Sequence, residues 1–445
     1  MLDQDEARSL TQTILSRSLA DQTEVVLLAE ETSLTRFANS RIHQNVAERN
    51  GQLRVRAVSG KKVGVVSTNN LSAGAIDEVT DSALRVALLQ PDNPDFSSLP
   101  KPEPLPQVNT YAEATAACTP QMRAEAVRAI CKLASEEHLV ASGAFTTSTL
   151  QITVANSLGV FAHAHTTVGE LTTVMMSEDS SGYASTTAVD VTTIDAEQLA
   201  REAANKALRS RNPKSLKAGE YTVILEDHAV ATLLTYLSYL GFGALPMQEK
   251  RSFMAGQLGK KITGSNVSIW DDGLDASGLP VPFDFEGMPK RRVNLITNGV
   301  AEAVVYDTYT ASREGKESTG HALPAPNTYG PLPGNLFMQS GEHSKAEMLA
   351  SVDRGLWVTR FHYVNPVHPL KTVLTGMTRD GTFLIEDGAI AGGVKNLRFT
   401  QNVLEAFARV RMISLDSRLG RSFFGGIRVP SVLIDGFAFT GVTEF

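Results

Sequence analysis

Residues 221–243 read YTVILEDHAVATLLTYLSYLGFG, and this stretch decides how the second half of the chain folds. The run Tyr221–Leu225 is short and apolar, which predicts a strand. Four leucines follow at positions 233, 234, 237 and 240, and their three- and four-residue spacing is typical of a helix with a buried face. The stretch therefore predicts a strand that leads into a core helix.

Six further segments are spread over nearly the whole chain. Like this stretch, they match the sequence patterns of one protein family. Together they resemble the TldD/PmbA family, which has been described as a modulator of DNA gyrase. The segments are residues 33–45 (SLTRFANSRIHQN), 60–71 (GKKVGVVSTNNL), 281–300 (VPFDFEGMPKRRVNLITNGV), 317–322 (ESTGHA), 383–390 (FLIEDGAI) and 429–441 (VPSVLIDGFAFTG).

The resemblance also identifies what this chain lacks. In the TldD branch of the family the core helix carries HExxxH, which supplies two zinc-binding histidines and a general-base glutamate. Matching the flanking leucines places these roles at Thr235, Tyr236 and Leu240, and a further zinc-binding cysteine falls at about Phe424. Leucine has no donor atom, threonine is a poor zinc ligand, and tyrosine is not a base near neutral pH. The chain thus resembles the TldE/PmbA-like branch, and we expect no catalytic, cofactor-binding or metal-binding residue in it.

Helix geometry supports a true loss of the zinc site. Histidines five residues apart lie about 140° apart around a regular helix, so both reach one metal only if the helix is distorted, as by a π-type bulge. The stretch LTYLSYL contains no metal-binding side chain, so no bond to a metal would offset the free-energy cost of distorting the helix. We therefore expect a regular helix through residues 235–240, with its leucines in the core.

The family resemblance implies a function shared between two chains. A TldD-type subunit brings zinc, and a TldE-type subunit such as this one pairs with it to enclose unfolded peptides or leader peptides for cleavage. In isolation this chain is expected to form a homodimer that imitates the heterodimer. One alternative is a stand-alone hydrolase with another metal-ligand set, which could include His228, His321 or His362. Another is a scaffold or binding protein unrelated to proteolysis.

Composition excludes several other classes of protein. The chain has 445 residues, of which 42% are hydrophobic and 20% charged, and its net charge is −7. An acidic chain without a long basic run is not expected to bind nucleic acid directly. The apolar runs are short and the N-terminus is acidic and polar, so we expect neither a membrane-spanning segment nor a secretory signal. The two cysteines, Cys118 and Cys131, are too few for a disulfide framework, so we expect a cytoplasmic protein.

The order of predicted elements indicates an α+β protein with two domains. The N-terminal domain, residues 1–212, is expected to combine an antiparallel sheet with helices, and it includes the proline-rich connector 91–106. Predicted strands cover 23–30, 35–48, 149–155, 159–166 and 168–177, and predicted helices cover 5–19, 72–89 and 195–209. Another helix is expected to begin at Thr119, the N-cap, followed by Pro120. The C-terminal domain, residues 213–445, is expected to be β-rich with a few packed helices.

Several polar residues are candidate sites with a simpler structural explanation. His163 and His165 alternate on a strand and are expected to be half-exposed strand residues, because no further ligand follows at metal-binding spacing. Asp227 is expected to cap the core helix. His362 and His368 flank a proline and are expected in a loop.

Four carboxylates and one histidine lie in the loop-rich stretch that follows. Asp271, Asp272, Asp284 and Glu286 could bind calcium or magnesium, but solvated turns explain them more simply. His321, in ESTGHALPAP, has two explanations that the sequence leaves open: it lines a peptide channel, or it belongs to a plain turn.

Overall fold

The computed structural model describes residues 1–442 and arranges its strands in two sheets. The first sheet has six antiparallel strands in the spatial order β3-β2-β1-β4-β5-β6. In chain order these are β1 (Gln22–Ala38), β2 (Arg41–Ser59), β3 (Lys62–Thr68), β4 (Val140–Asn156), β5 (Phe161–Met176) and β6 (Ser181–Ala188).

The second sheet has eleven strands and is mixed. Its strands are β7 (Gly219–Leu225), β8 (Ile269–Asp271), β9 (Val293–Thr297), β10 (Val300–Ala301), β11 (Asn335–Met338), β12 (Arg354–His368), β13 (Val373–Glu386), β14 (Ala389–Gly393), β15 (Leu397–Asn402), β16 (Val410–Arg421) and β17 (Gly426–Val442). The spatial order is β10-β9-β8-β11-β17-β15-β13-β12-β7, with β14 on β13 and β16 on β17. Because β7 also pairs with β17, strands β7, β12, β13, β15 and β17 close into a ring.

The helices cover the two sheets. They are α1 (Gln4–Arg17), α2 (Ala73–Leu89), α3 (Glu113–Ala116), α4 (Pro120–Glu136), α5 (Ala196–Arg209), α6 (Asp227–Gly241), α7 (Ala244–Gln248), α8 (Thr308–Ser312), α9 (Lys345–Ala350) and α10 (Val403–Ala408). Helices α2, α4 and α5 pack on the first sheet, and α6 packs on β12 and β17. The α+β class is confirmed, and no helix within residues 1–442 is both long and apolar enough to cross a membrane.

The predicted start of α4 is confirmed in atomic detail. The Thr119 side chain accepts a hydrogen bond from the backbone N–H of Met122 at 3.2 Å, and Pro120 occupies the first turn. This arrangement satisfies a donor that the helix itself leaves free, while the proline occupies a position where no N–H is needed. The local sequence is sufficient here because both partners lie within one turn.

The predicted strand limits in the first half are wrong in a consistent way. The strand expected at 23–30 continues to Ala38 as β1, and the strand expected at 35–48 is interrupted by a turn at Asn39 and Ser40, whose left-handed φ angles are 51° and 56°. The part after the turn belongs to β2, which extends to Ser59. The two strands expected at 159–166 and 168–177 are the single strand β5. Polar residues interrupt the apolar alternation, but pairing with neighbours on both sides continues through them. Backbone pairing, which the side-chain pattern does not report, therefore sets the strand length.

Helix α6 is regular and lies in the core, as expected. Leu233, Leu234 and Leu237 are fully buried, and Leu240 is 6% exposed. They belong to the largest hydrophobic cluster of the protein, which also includes Phe399 of β15. Burying a leucine side chain contributes about 1.5–3 kcal/mol, so this face fixes the helix against the ring of strands.

The proline-rich connector is extended and attached to the first sheet. Phe96 and Leu99 are buried, and the Asn156 side chain donates a hydrogen bond to the carbonyl of Pro100 at 2.8 Å. The predicted domain boundary between residues 212 and 213 falls in the segment that joins α5 to β7. The division into two separate domains stays a prediction.

Candidate functional site

Helix α6 forms one wall of a cavity of about 510 Å³, which we call the helix cavity. The other walls come from β5 and β6 of the first sheet, from β12, and from the turn between β16 and β17. The side chains that line it include Glu170, Tyr183, His228, Thr232, Thr235, Tyr236, Arg360, His362, Tyr363, Arg421 and Phe423.

The helix cavity has polar groups of both charges. Burial raises the pKa of Glu170, and the Arg421 guanidinium opposes that shift. Arg360 lies 4.2 Å from the ring centre of Tyr183 and forms an ion pair with Asp380. Charged donors and acceptors fixed in this way can bind the polar groups of a peptide backbone.

The structure does not bring the four positions of the family's zinc site to one cavity. Thr235 and Tyr236 line the helix cavity, but the Thr235 hydroxyl donates to the Ala231 carbonyl at 2.8 Å. Leu240 lies in the core, and Phe424 lines a different cavity. Neither these residue types nor their placement fits a zinc ion.

The candidate histidines are dispersed. His228 and His362 line the helix cavity, whereas His321 lines the second cavity. Burial lowers the pKa of His228 to about 4, so its ring is neutral at pH 7. Within residues 1–442, no three His, Cys, Asp or Glu side chains are grouped so that they could hold a metal ion.

The strand histidines are partly as expected. His163 and His165 are half-buried on β5 with ring centres 5.0 Å apart, and His163 Nδ1 lies 2.9 Å from Thr153 Oγ1, which confirms their placement. The loop expected for His362 and His368 is wrong, because both lie on β12. Beyond Val358, β12 pairs only with β13 within the described residues, and such an edge tolerates a proline.

Asp227 does not cap α6, contrary to the sequence-based prediction. Glu226 occupies the N-cap position without a side-chain capping bond, and Asp227 is the first helical residue. The Asp227 carboxylate is buried, with Lys345 Nζ and Arg418 Nε each 3.2 Å from one of its oxygens. Asp227 is therefore the counter-charge of a lysine on α9 and an arginine on β16.

Asp227 belongs to a larger, partly buried charge network. Lys206 of α5 lies 2.8 Å from Glu202 and 2.7 Å from Glu226, and Arg418 lies 2.8 Å from Glu202. Burial alone would raise the pKa of Asp227, but His228, Arg418 and Lys345 together hold it well below its ordinary value. The network connects α5 of the first half to α6, α9 and β16 of the second half.

Solvated turns are the wrong explanation for three of the four loop carboxylates. Asp271, Asp284 and Glu286 are 0%, 3% and 7% exposed, and only Asp272, which accepts from the Leu274 N–H at 3.0 Å, is in a turn of the expected kind. The other three are buried because the fold supplies partners from distant positions. Asp271 lies 2.7 Å from His321, and Glu286 lies 3.3 Å from Arg56.

His321 is part of a buried pair, so a plain turn does not describe it. Its Nε2 donates to Asp271 Oδ1 at 2.7 Å, and its Nδ1 lies 2.9 Å from Thr319 Oγ1. Burial lowers the pKa of His321, so the ring is neutral at pH 7 and the proton is assigned to Nε2 because its partner is a carboxylate. The residue also lines a cavity, and whether that cavity is a peptide channel stays a prediction.

Comparison with known protein families decides the identity of the fold. Three models of the PmbA/TldA metallopeptidase match consecutive parts of the chain: domain 1 at residues 23–87, the central domain at 111–211 and the C-terminal domain at 218–441. The chain belongs to the PmbA/TldD family. The resemblance inferred from the sequence segments is thereby confirmed.

Individual relatives agree with the family assignment. TldE from Thermococcus kodakarensis superposes with a TM-score of 0.89 at 21% identity, over 98% of this chain and 99% of that one. A metalloprotease of Methanothermobacter thermautotrophicus is 28% identical over 244 residues, 53% of this chain and 52% of that protein. A metalloprotease TldD homolog of Haemophilus influenzae is 24% identical over 250 residues, 53% of this chain and 52% of that protein. The chain spans about half the length of these two curated relatives.

Sequence reasoning missed the buried ionic groups around both cavities. The network at Asp227 and the Asp271–His321 pair join residues up to 216 positions apart in the chain. No periodicity or local motif reports a contact over such a separation. The one available signal was the clustering of acids at 271–286 with a histidine in a segment that resembled the family.

Proposed function

We propose that this chain is the non-catalytic, peptide-binding subunit of a two-chain metallopeptidase, in which a homologous TldD-type chain carries the zinc. One observation supports this more than any other. The core helix presents Thr235 and Tyr236, instead of a zinc ligand and a base, to a cavity of about 510 Å³. Within residues 1–442 the histidines and carboxylates of this cavity are not grouped to hold a metal, so the cavity is suited to binding a substrate that another chain cleaves.

The wall of the helix cavity formed by β12 suits an extended peptide. Strand β7 pairs with β12 only over Gly355–Val358, and the cavity is lined by the next part of β12, from Arg360 to Val364. Within residues 1–442 that edge has no strand partner on its outer side. A peptide can add to such an edge through backbone hydrogen bonds, which gives affinity with little sequence selectivity. Unfolded peptides and leader peptides are the substrates that fit this mode.

The proposed partner is a related chain, so the interface is expected to be pseudo-two-fold, and this chain alone is expected to form a homodimer. The net charge of −7 gives no basis for direct contact with DNA. Zinc is assigned to the partner, and none is expected in this chain.

Reconstitution tests the division of labour. The chain is purified without a histidine tag, alone and after coexpression with a TldD-type chain, and each sample is assayed for zinc by elemental mass spectrometry and for cleavage of a labelled unstructured peptide. We expect cleavage and stoichiometric zinc only in the two-chain sample. Cleavage by the isolated chain that a chelator abolishes would instead indicate a self-sufficient metallopeptidase.

A pair of variants tests whether the helix cavity holds the substrate. Thr232 lines the cavity, so Thr232→Trp is expected to fill it and to weaken peptide cleavage by the two-chain enzyme at least about tenfold. Tyr239 is 40% exposed on the same helix but does not line the cavity, so Tyr239→Trp is the matched control. Equal activity of the two variants would exclude the helix cavity as the substrate site.

A further inference from the structure

A second cavity of about 380 Å³ lies beside the helix cavity, and we call it the lysine cavity because Lys290 lines it. Strands β4 and β5 form one wall, and the loop around residues 279–285 forms the opposite wall. The turn residues Arg421, Ser422 and Phe423 line both cavities. The lysine cavity therefore adjoins the proposed peptide site.

Lys290 is a buried lysine whose amine has no hydrogen-bond partner among the described residues. The residue is 9% exposed, and within residues 1–442 its ammonium group donates no hydrogen bond and forms no ion pair. Burial lowers the pKa of Lys290, although Asp271 and Asp284 oppose that shift. A carboxylate that enters the cavity would favour the charged form of Lys290 and would accept its hydrogen bonds.

The acidic neighbours of Lys290 already have partners. Asp271 accepts from His321 at 2.7 Å and from the backbone N–H of Asn335 at 2.6 Å. Asp284 accepts from three backbone N–H groups, those of Glu286, Met288 and Ala322, at 2.8–3.0 Å. Both acids are thus held in place by the fold. Two basic residues line the cavity, the exposed Arg421 and the buried Lys290, and Lys290 is the one that lies next to these acids.

The rest of the lysine cavity is mostly apolar. Leu150 and Ile152 line one side, and Val281, Phe283 and Leu323 line the other. An apolar group would fill this space, while a carboxylate would satisfy the lysine. A free amino acid would bring both groups, but it would also bury its own ammonium, which a peptide avoids because that nitrogen is an amide.

We propose that the lysine cavity binds the C-terminal residue of a peptide, with its apolar side chain against the hydrophobic wall and its carboxylate on Lys290. This inference rests on the proposed peptide-binding function and narrows the substrate class to peptides that end in an apolar residue. A peptide bound there can continue around the turn at residues 421–423 into the helix cavity.

Two peptides that differ only at the C-terminus test the proposal. A fluorescein-labelled pentapeptide ending in phenylalanine is prepared as the free acid and as the amide, and its binding to the full chain is measured by fluorescence anisotropy. We expect the acid to bind at least about tenfold more tightly than the amide, because only the acid forms a charge-assisted bond with Lys290. Lys290→Met is expected to reduce this ratio to about one, whereas Lys260→Met, an exposed lysine, leaves it unchanged.

A second variant covers the case that Lys290→Met fails to fold. Leu150→Trp fills the cavity without changing a charge and is expected to abolish the preference for the acid. Free leucine, added as a competitor, is expected to displace the labelled acid only at a much higher concentration than the unlabelled peptide acid does.

The outcomes separate this inference from the proposed function. Equal binding of acid and amide by the wild type, or a preference retained by either cavity variant, overturns the role of Lys290 while peptide binding stands. Stronger competition by free leucine than by the peptide acid would make the ligand an amino acid. No binding of either peptide, with or without the TldD-type chain, overturns both proposals.

Discussion

Asp284 is a buried carboxylate whose protonation makes the free energy of unfolding depend on pH. Burial, and then the nearby Glu286 carboxylate, raise the pKa of Asp284 to about 7. The unfolded chain has an ordinary aspartate pKa of about 4. Between these two values the folded protein binds the proton that the unfolded protein releases, so this residue favours the folded state at low pH and loses that contribution as the pH rises towards 7.

The Asp284→Asn variant tests this coupling. We expect the free energy of unfolding of the wild type, relative to the variant, to decrease by up to about 1.4 kcal/mol for each pH unit between pH 4.5 and 7. Urea denaturation at several pH values measures the difference, and Asp272→Asn in the same loop is the control. A wild-type-to-variant difference that is constant over this range would show that Asp284 is ionised throughout.

At the scale of the element, α6 places the positions equivalent to the zinc motif in different environments. Thr235 and Tyr236 face the helix cavity, whereas Leu240 is turned into the core. A regular helix produces this separation because residues five apart lie about 140° apart around its axis. If metal-binding side chains were introduced at these positions without a change in the helix, the one at position 240 could not reach a metal held by the others.

Restoring the family motif by substitution is expected to fail. The variant Thr235→His, Tyr236→Glu, Leu240→His and Phe424→Cys is expected to hold well below one zinc per chain, because the last two positions do not face the helix cavity. Thr232→His with Tyr236→His places two histidines four residues apart on the cavity wall and is expected to bind more zinc. Elemental mass spectrometry measures the zinc content per chain of both variants. Stoichiometric zinc in the first variant would show that α6 adopts a distorted state.

At the scale of the whole molecule, the charge network at Asp227 joins the two halves. Glu202 and Lys206 belong to α5, and Glu226, Asp227 and Arg418 belong to the second half. A buried ion pair adds little net stability compared with an apolar replacement, but the loss of one member leaves the others uncompensated. The network is therefore expected to fix how the halves meet more than to increase the stability of either.

Asp227→Asn tests the network. The variant is expected to reduce the free energy of unfolding at pH 7 by about 3–5 kcal/mol, because Lys345 and Arg418 lose a buried counter-charge. Since the folded pKa of Asp227 is depressed, the wild type loses this advantage as the pH falls below about 4, where the unfolded carboxylate takes up its proton. Urea denaturation measures both effects. Asp77→Asn, in an exposed ion pair with Arg17, is the control, with an expected cost of about 0–1 kcal/mol.

The sequence by itself determined what local interactions decide. The leucine spacing predicted α6 and its buried face, Thr119 and Pro120 predicted the start of α4, and short segments identified the family. Each of these features depends on residues within a few turns of one another or on the order of short segments along the chain. The absence of the zinc motif could also be recognised from the sequence, because it depends only on which residues occupy the motif positions.

Only the tertiary structure decided which polar groups are buried and which residues they pair with. Asp271 was expected in a solvated turn, yet it pairs with His321, fifty positions away, and Asp227 meets Lys345 and Arg418 instead of capping its helix. The energy of a charge depends on the charges and dipoles around it in space, and a chain brings those together only when it folds. For the same reason, the buried amine of Lys290 and the cavity that this residue lines could be seen only in three dimensions.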